Sequence, residues 1–584
     1  MSSVLGNNDF LLEQCHLNSE EKYACSRHLL KLINESMELR NWHRGEKFCT
    51  ILRSINPDHH ECSVKWCECL FQLGDYHAVL RIVNEEYIEK LDNKIWIKIP
   101  LLIFKADSEF NIGQHTLCAE TLNSTLKYIK HLEILQNLEY KEELLLKQYT
   151  TRILLLQSRI YELNNMISKV ITTLEYILLK YDYLNIQAIK KIFCTYFLTK
   201  QQKINIFNKW IINIPNDFHW ISDIVSLRIL YDHWNQDRKF EDLFFNKKGI
   251  KFEEINKSLL YEILENIPQY VFNTCFFREH RICLLWNIGQ LSTLINELSQ
   301  LNPINLISQD KIIVIYVCAL TECKDTGSIL KLSQIVNKKA PLSAISLFIM
   351  GCYYFNQNLY SKAIHLYRKT IEKEPGFFEA YLALGHSLAM DNNYDQALAI
   401  YESLQTNWKG SYLGVFYQGI EYMRNKKLDL AYEFLKESYQ LAPYDPYVLN
   451  EYGILLFNNK NFVEASSIFK QASQNCNTDH FTKRDLYYKI QANLGLSLIW
   501  SYMYTSNCTE DNILDEAINC LNRYIKVHHL KTNPSIKLGL AISLHLRAKF
   551  EEASKLYLSL MSEQYFNSQL LQLLHSICTD CNIS

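Results

Sequence analysis

Residues 350–375 read MGCYYFNQNLYSKAIHLYRKTIEKEP, an apolar, helix-like run with a glycine, Gly351, in its middle. Glycine in a helix interior costs about 1 kcal/mol relative to alanine, so its presence needs a packing reason. Gly351, Gly385, Gly419 and Gly453 recur every 34 residues, and each is followed after twelve by an alanine: Ala363, Ala397, Ala431 and Ala465. A third register holds Tyr360, Tyr394, Leu428 and Phe462, and a fourth holds Tyr367, Tyr401, Leu435 and Phe469. Pro375 and Pro443 close two of the units.

Small residues at positions 8 and 20 of a 34-residue unit, aromatics near 17 and 24 and proline at 32 form the pattern of the tetratricopeptide repeat (TPR). The predicted fold class is all-α, a right-handed superhelical TPR solenoid. Two helices of about 14 residues lie antiparallel, and their axes approach to roughly 8 Å only where the facing side chains are small. Gly351 is therefore expected against Ala363, with Tyr354 and Tyr367 filling the space beside that contact. Pro375 cannot extend the second helix and hands the chain to the next unit.

Four regular units fill 341–475. Region 476–584 holds two further units and a closing helix at 568–578 that covers the last apolar face, as solenoids require. Gly495 to Ala517 is longer than the usual twelve, which predicts an insertion around 504–512 that lengthens the turn. The last unit runs over 533–560, with Ala541, Phe550, Ala553 and Tyr557 in register. Region 1–130 fits two units, at 29–57 and 62–83, with Gly45 and Val79 at position 20. Region 131–340 is read as diverged TPR-like helix: one unit is plausible at 153–179, and the register is lost from 180 to 340. NCNTDHFTKRD (475–485) and the acidic and Asn-rich stretches near 90 and 510 are read as loops.

Composition agrees with a helical array. Among 584 residues there are 16 Gly and 10 Pro, where average usage gives roughly 40 and 30, so few hairpins are expected. The formal net charge of −2 supplies no basic excess to hold phosphates and argues against nucleic acid as a partner. The N-terminus lacks a basic segment followed by an apolar core. The longest apolar runs, IIVIYVCAL (312–320) and PLLIF (100–104), fall short of the roughly 20 residues that span a bilayer. A soluble intracellular protein with no membrane partner is expected, its 18 Cys reduced and used as small apolar residues.

Catalytic and metal signals are weak. GDYH (74–77) looks like the opening of a metallophosphatase, but no second motif follows and the tetrapeptide falls at an inter-helix turn. HHECSVKWCEC (59–69) lies on a predicted repeat helix, and CTDC (578–581) is a lone pair, whereas a structural zinc site wants two ligand pairs at set spacings. No Walker loop, HExxH, GxSxG or Gly-rich dinucleotide turn is present. No catalytic residue, metal or cofactor is predicted. The aromatic residues, at repeat spacing, are read as core rather than as base-stacking platforms.

What the array offers is a surface. First helices line the concave wall, and positions 2, 5, 9 and 12 face inward: Ile345, Phe348 and Cys352; Glu379, Leu382 and His386; Leu413, Phe416 and Ile420; Tyr447, Asn450, Ile454 and Phe457. This largely apolar wall suits an extended or helical peptide. A clamp for a peptide C-terminus needs Lys, Arg and Asn where Phe348, Cys352, Ala383, Leu413 and Tyr417 stand, so that ligand is disfavoured.

Several strings go beyond the repeat consensus. FIMGCYYFNQN (348–358), GHSLAMDNNYDQALAIY (385–401), KGSYLGVFYQGIEY (409–422) and LAPYDPYVLNEYGILLF (441–457) resemble, in order and spacing, the cell-division-cycle-sixteen type subunit (subunit six) of the anaphase-promoting complex, a multi-subunit ubiquitin ligase. WCECLFQLGDYH (66–77) echoes the same family. The insertion near 504–512, the irregular 180–340 and the early end depart from the family's pattern. The resemblance implies a non-catalytic scaffold of mitotic cell-cycle ubiquitination, found in the nucleus and cytoplasm. It also implies a homodimer through the N-terminal half, stacking with other TPR subunits and a small subunit held in the C-terminal groove. The corresponding inner wall in this chain runs through Leu382, His386, Phe416, Ile420, Asn450, Ile454, Phe457, Asn493 and Leu538. The alternative is a TPR adaptor of another assembly, such as chaperone or transport machinery, or a paralogous TPR subunit of the same complex.

Overall fold

The structure is a computed structural model. It describes residues 19–578 apart from 57–58, 86–94, 136–139, 216–217, 233–274, 289–290, 301–309, 477–480, 505–510, 528–532, 563–570 and 573. The predicted loops near 90 and 510 and the second cysteine of CTDC lie outside the described residues. The chain forms two compact units, Met1–Ile189 and Lys190–Ser584. The described secondary structure is helical, and no described helix is long and apolar enough to cross a membrane.

The first unit is built from helix pairs: α1 (Ser19–Glu38) with α2 (Trp42–Ile55), α3 (His60–Leu73) with α4 (Tyr76–Glu85), and α5 (Ile95–Ile112) with α6 (His115–Leu135). A fourth pair joins α7 (Tyr140–Leu163) to α8 (Ile167–Tyr176), and α8 runs on into a π-helical turn, Ile177–Tyr181. GDYH is the turn of the second pair: Gly74 ends α3 in the left-handed conformation, and the Asp75 carboxylate accepts from the Ala78 amide at 3.1 Å. Cys62, Cys67 and Cys69 are buried on α3 as core residues.

The second unit carries the regular repeats as four pairs: α16 (Ala344–Asn356) and α17 (Tyr360–Lys373), α18 (Phe378–Met390) and α19 (Tyr394–Asn407), α20 (Leu413–Arg424) and α21 (Leu428–Leu441), and α22 (Pro446–Asn458) and α23 (Phe462–Asn475). Gly351, Gly385, Gly419 and Gly453 sit on the first helix of each pair, and Ala363, Ala397, Ala431 and Ala465 are fully buried on the second. The room beside each glycine is taken up by a large side chain. A Cβ on Gly351 would lie 2.4 Å from the Tyr367 ring, one on Gly385 2.4 Å from Tyr401, one on Gly419 2.7 Å from Leu435, and one on Gly453 2.7 Å from Phe469. Each glycine is thus a seat for the large residue sixteen positions on. The alanine lets the helices close, and the missing Cβ makes room for the ring.

A further register was not read from the sequence. The first helix of each pair ends at a residue with positive φ: Asn358 (59°), Asn392 (62°), Lys426 (59°) and Lys460 (65°). The backbone closes behind each, as in the bonds from Asn358 N to Phe355 O (3.0 Å) and Leu359 N to Tyr354 O (3.0 Å). This is the left-handed helix C-cap, which asparagine tolerates and which costs other L-residues about 1–2 kcal/mol. Lysine hides the position from a glycine-based search.

Lys324 (57°) lies one period before Asn358, so the regular register extends to a pair ahead of 341: α14 (Asp310–Glu322) and α15 (Thr326–Lys339). This corrects the reading that register is lost up to 340. Val317 stands in the glycine slot and Ser333 in the ring slot, both buried. The larger residue now stands on the first helix and the smaller on the second, which erases the sequence signature.

Beyond the fourth repeat, α24 runs from Phe481 to Tyr504 and α25 from Asp511 to Val527. Residues 481–485 are therefore helical rather than loop, and the insertion is taken up partly by both helices rather than by the turn alone. The ring seat survives it, since a Cβ on Gly495 would meet Leu521 at 2.7 Å. The last pair is α26 (Pro534–Leu546) and α27 (Phe550–Ser562), with Ala541, Ala553 and Tyr557 buried. Leu571 and Cys578, on the helical residues of the closing segment, join the same core.

Region 186–300, where register was not legible, places α9 (Ile186–Phe193), α10 (Lys200–Ile211), α11 (His219–Asp232), α12 (Cys275–Ile288) and α13 (Leu291–Gln300) before the repeats. The non-helical stretch 194–198 packs onto the entry to the third regular repeat. Gly410 donates its amide to the Tyr196 carbonyl at 2.9 Å, and Phe197 stacks on Trp408 with ring centroids 6.0 Å apart.

Candidate partner-binding groove

The repeat helices position a cavity of about 350 Å³ on their inner side. Its walls come from α14 (Val314, Cys318, Glu322), α16 (Phe348, Cys352, Phe355), α18 (Phe378, Glu379, Leu382, Ala383, His386) and α20 (Leu413, Tyr417), with Tyr196 and Trp286 joining from the preceding region. All five positions at which a carboxylate clamp would need basic or amide groups line this cavity, and its lining holds the acids Glu322 and Glu379 and no lysine or arginine. A peptide C-terminus would meet like charge there.

Of the residues expected on the inner wall, Leu382 and His386 border the cavity and are half-buried. Ile420, Ile454, Phe457, Asn493 and Leu538 lie farther along the first helices, also half-buried. Phe416 and Asn450 depart from the expectation. They are 4% and 5% exposed, whereas Leu382, at the same position of its own repeat, is half-buried. Phe416 belongs to the core, and Asn450 accepts from the Asn493 side-chain amide at 3.0 Å, joining the fourth repeat to the next first helix. They shape the wall from behind rather than present atoms to a ligand.

The residues that depart from repeat consensus have specific work. His386, of the GHS string, places Nδ1 3.1 Å from the Tyr401 hydroxyl and sets its ring edge-on to Tyr417 at 4.4 Å. Burial, with Arg424 adding to it, pushes its pKa down to about 4, so the wall is uncharged there at neutral pH. In GIEY, Glu421 is buried and takes Arg424 at 2.9 Å, and burial raises its carboxyl above the usual range. In AP-x-DP, Asp445 caps α22 by accepting from the Tyr447 amide at 2.7 Å with Pro446 in the first turn, and it also receives the Tyr412 hydroxyl. Asp445 is thereby a strut between the third and fourth repeats. The contribution of Tyr196 had no signal in the sequence, since its ring meets that of Phe378, 182 residues on.

The tetratricopeptide repeat family matches residues 350–412. Anaphase-promoting complex subunit CDC16 of Saccharomyces cerevisiae is 31% identical over 157 residues, 27% of this chain and 19% of that protein. Anaphase-promoting complex subunit cut9 of Schizosaccharomyces pombe is 26% identical over 257 residues, 43% of this chain and 35% of that protein. The matched stretch therefore spans well under two thirds of the length of these relatives. A chain of the crystal structure of the APC/C hetero-tetramer Cut9-Hcn1 shares the fold, with a TM-score of 0.66 at 14% identity, covering 95% of this chain and 96% of that one. The chain is a tetratricopeptide-repeat solenoid whose repeat region is related to that of the CDC16 and cut9 subunits of the anaphase-promoting complex.

Proposed function

We propose that this chain is a non-catalytic scaffold subunit of the anaphase-promoting complex, of the CDC16/Cut9 kind, holding other subunits in place for cell-cycle ubiquitination. The observation that carries this reading is that the strings least like generic repeat consensus build the groove and its struts. His386, Leu413 and Tyr417 wall the cavity, while Asp445 and Tyr412 lock adjacent repeats. An apolar groove with neutral and acidic polar points suits an apolar peptide segment, and we assign it to a small partner subunit. The reading includes a homodimer through the N-terminal half, contacts with other TPR subunits, and residence in nucleus and cytoplasm.

Affinity capture of the tagged chain from dividing cells tests the assignment. Recovery of other anaphase-complex subunits is expected, and their absence refutes it. Light scattering of the purified chain tests the dimer. For the groove, half-buried Leu382 and Ile454 are better targets than Phe416 or Asn450, whose loss damages the core. Leu382→Arg with Ile454→Arg is expected to release the small subunit while the large ones still co-purify.

A further inference from the structure

A second pocket, of about 460 Å³, lies in the first unit between α6, α7 and the π-turn after α8. The turn explains its chemistry. In an α-helix, residues five apart point about 140° away from each other. Here the chain closes an i to i+5 bond, from the Asp182 amide to the Ile177 carbonyl at 2.9 Å. Tyr176 and Tyr181 thereby stand side by side, with ring centroids 5.3 Å apart and hydroxyls 3.4 Å apart. Lys180 donates to the Tyr176 hydroxyl at 3.0 Å and lies over both rings.

The facing wall on α6 carries Lys127 and Lys130, both exposed, above an apolar floor of Leu126, Ile129 and Leu154. No carboxylate is among the residues lining the pocket. The Tyr176 hydroxyl is made more acidic than usual by the Tyr181 hydrogen bond first, then by Lys180, with Lys130 adding to it. The two lining ammonium groups, with Lys180 bonded to the Tyr176 hydroxyl, and the paired phenols offer more positive charge and more donors than a carboxylate takes up. They match a phosphomonoester, which carries nearly two charges and three acceptor oxygens. The apolar floor has no role for free phosphate, but it can seat a side chain flanking a phosphorylated residue.

We infer that the pocket between Lys127, Lys130 and the Tyr176–Tyr181 pair binds a phosphorylated serine or threonine of a partner protein segment.

The test uses the full chain and fluorescence anisotropy with labelled degenerate peptide pools that carry a central phosphoserine, serine or glutamate. The phosphoserine pool is expected to bind at least about tenfold more tightly than the other two, and inorganic phosphate is expected to compete with it. Lys127→Ala with Lys130→Ala removes two exposed side chains, so thermal melting is expected to stay unchanged while the preference is lost. Tyr176→Phe keeps the ring and is expected to weaken only phosphoserine binding. Equal binding of the three pools, or undiminished preference in the lysine variant, overturns the proposal. Phosphate binding without binding of the phosphoserine pool overturns the assignment to a protein segment.

Discussion

The ring seat makes a quantitative prediction. Tyr367 is buried, its hydroxyl 3.4 Å from Cys352 Sγ and its ring 5.8 Å, centroid to centroid, from that of Phe348. A Cβ added at Gly351 would lie 2.4 Å from the ring, whereas carbon–carbon contact is most favourable near 3.5–4.0 Å. The ring would have to retreat by about 1 Å into a packed core, which costs about 1–3 kcal/mol. Replacing helical glycine returns at most about 1 kcal/mol, so Gly351→Val should destabilise the repeat. Tyr367→Ser should also destabilise it, by about 3 kcal/mol or more, through the cavity left behind. The α14–α15 pair carries the reverse arrangement, Val317 and Ser333, so the double variant Gly351→Val with Tyr367→Ser should recover at least about 1 kcal/mol of the summed losses. Urea unfolding combined with hydrogen exchange at α16 and α17 measures the cycle. Effects that add within about 0.5 kcal/mol would show that glycine and ring are not partners.

Two further outcomes can be checked. A Cβ on Gly410 would lie 2.2 Å from the Leu198 carbonyl oxygen, a backbone atom; Gly410→Ala should therefore speed hydrogen exchange in 194–198 and lower the melting temperature, and an unchanged melt contradicts that packing. His280 is buried, and burial, with Arg228 adding to it, pushes its pKa down to about 4. Its folded pKa lies below the unfolded value of about 6.5, so the stability it supports is present above that pH and is lost as pH falls toward 4, by up to roughly 3 kcal/mol. His386 acts in the same direction, and replacing both histidines with glutamine should flatten the melting temperature between pH 6.5 and 4.

Periodicity made the repeats legible. A 34-residue register of glycine, alanine and aromatic residues follows from local geometry: the same two-helix packing recurs, and each copy leaves its mark in composition. The helical fold class, the turn at Gly74 and the burial of the alanines could be read in this way. So could the half-buried positions of Leu382, His386 and Ile454, because helical spacing alone sets which face they occupy.

What the tertiary structure decided concerns partners in space. Composition marks which positions are small, but not which large side chain uses the room, here the Tyr367 ring against Gly351. At Val317 and Ser333 the larger residue is on the first helix and the smaller on the second, so a pattern built on glycine and ring passes over the pair. Lysines 426 and 460 occupy left-handed positions because the Schellman bonds around them hold the backbone there against their own preference. Phe416 and Asn450 are buried where Leu382, at the same position of its repeat, is half-buried, a difference that helical spacing does not record. The cavity needs Tyr196 and Trp286 beside the repeat helices, and the Tyr176–Tyr181 pair needs a π-turn. Both depend on where the chain is bent by its packing rather than on residue spacing.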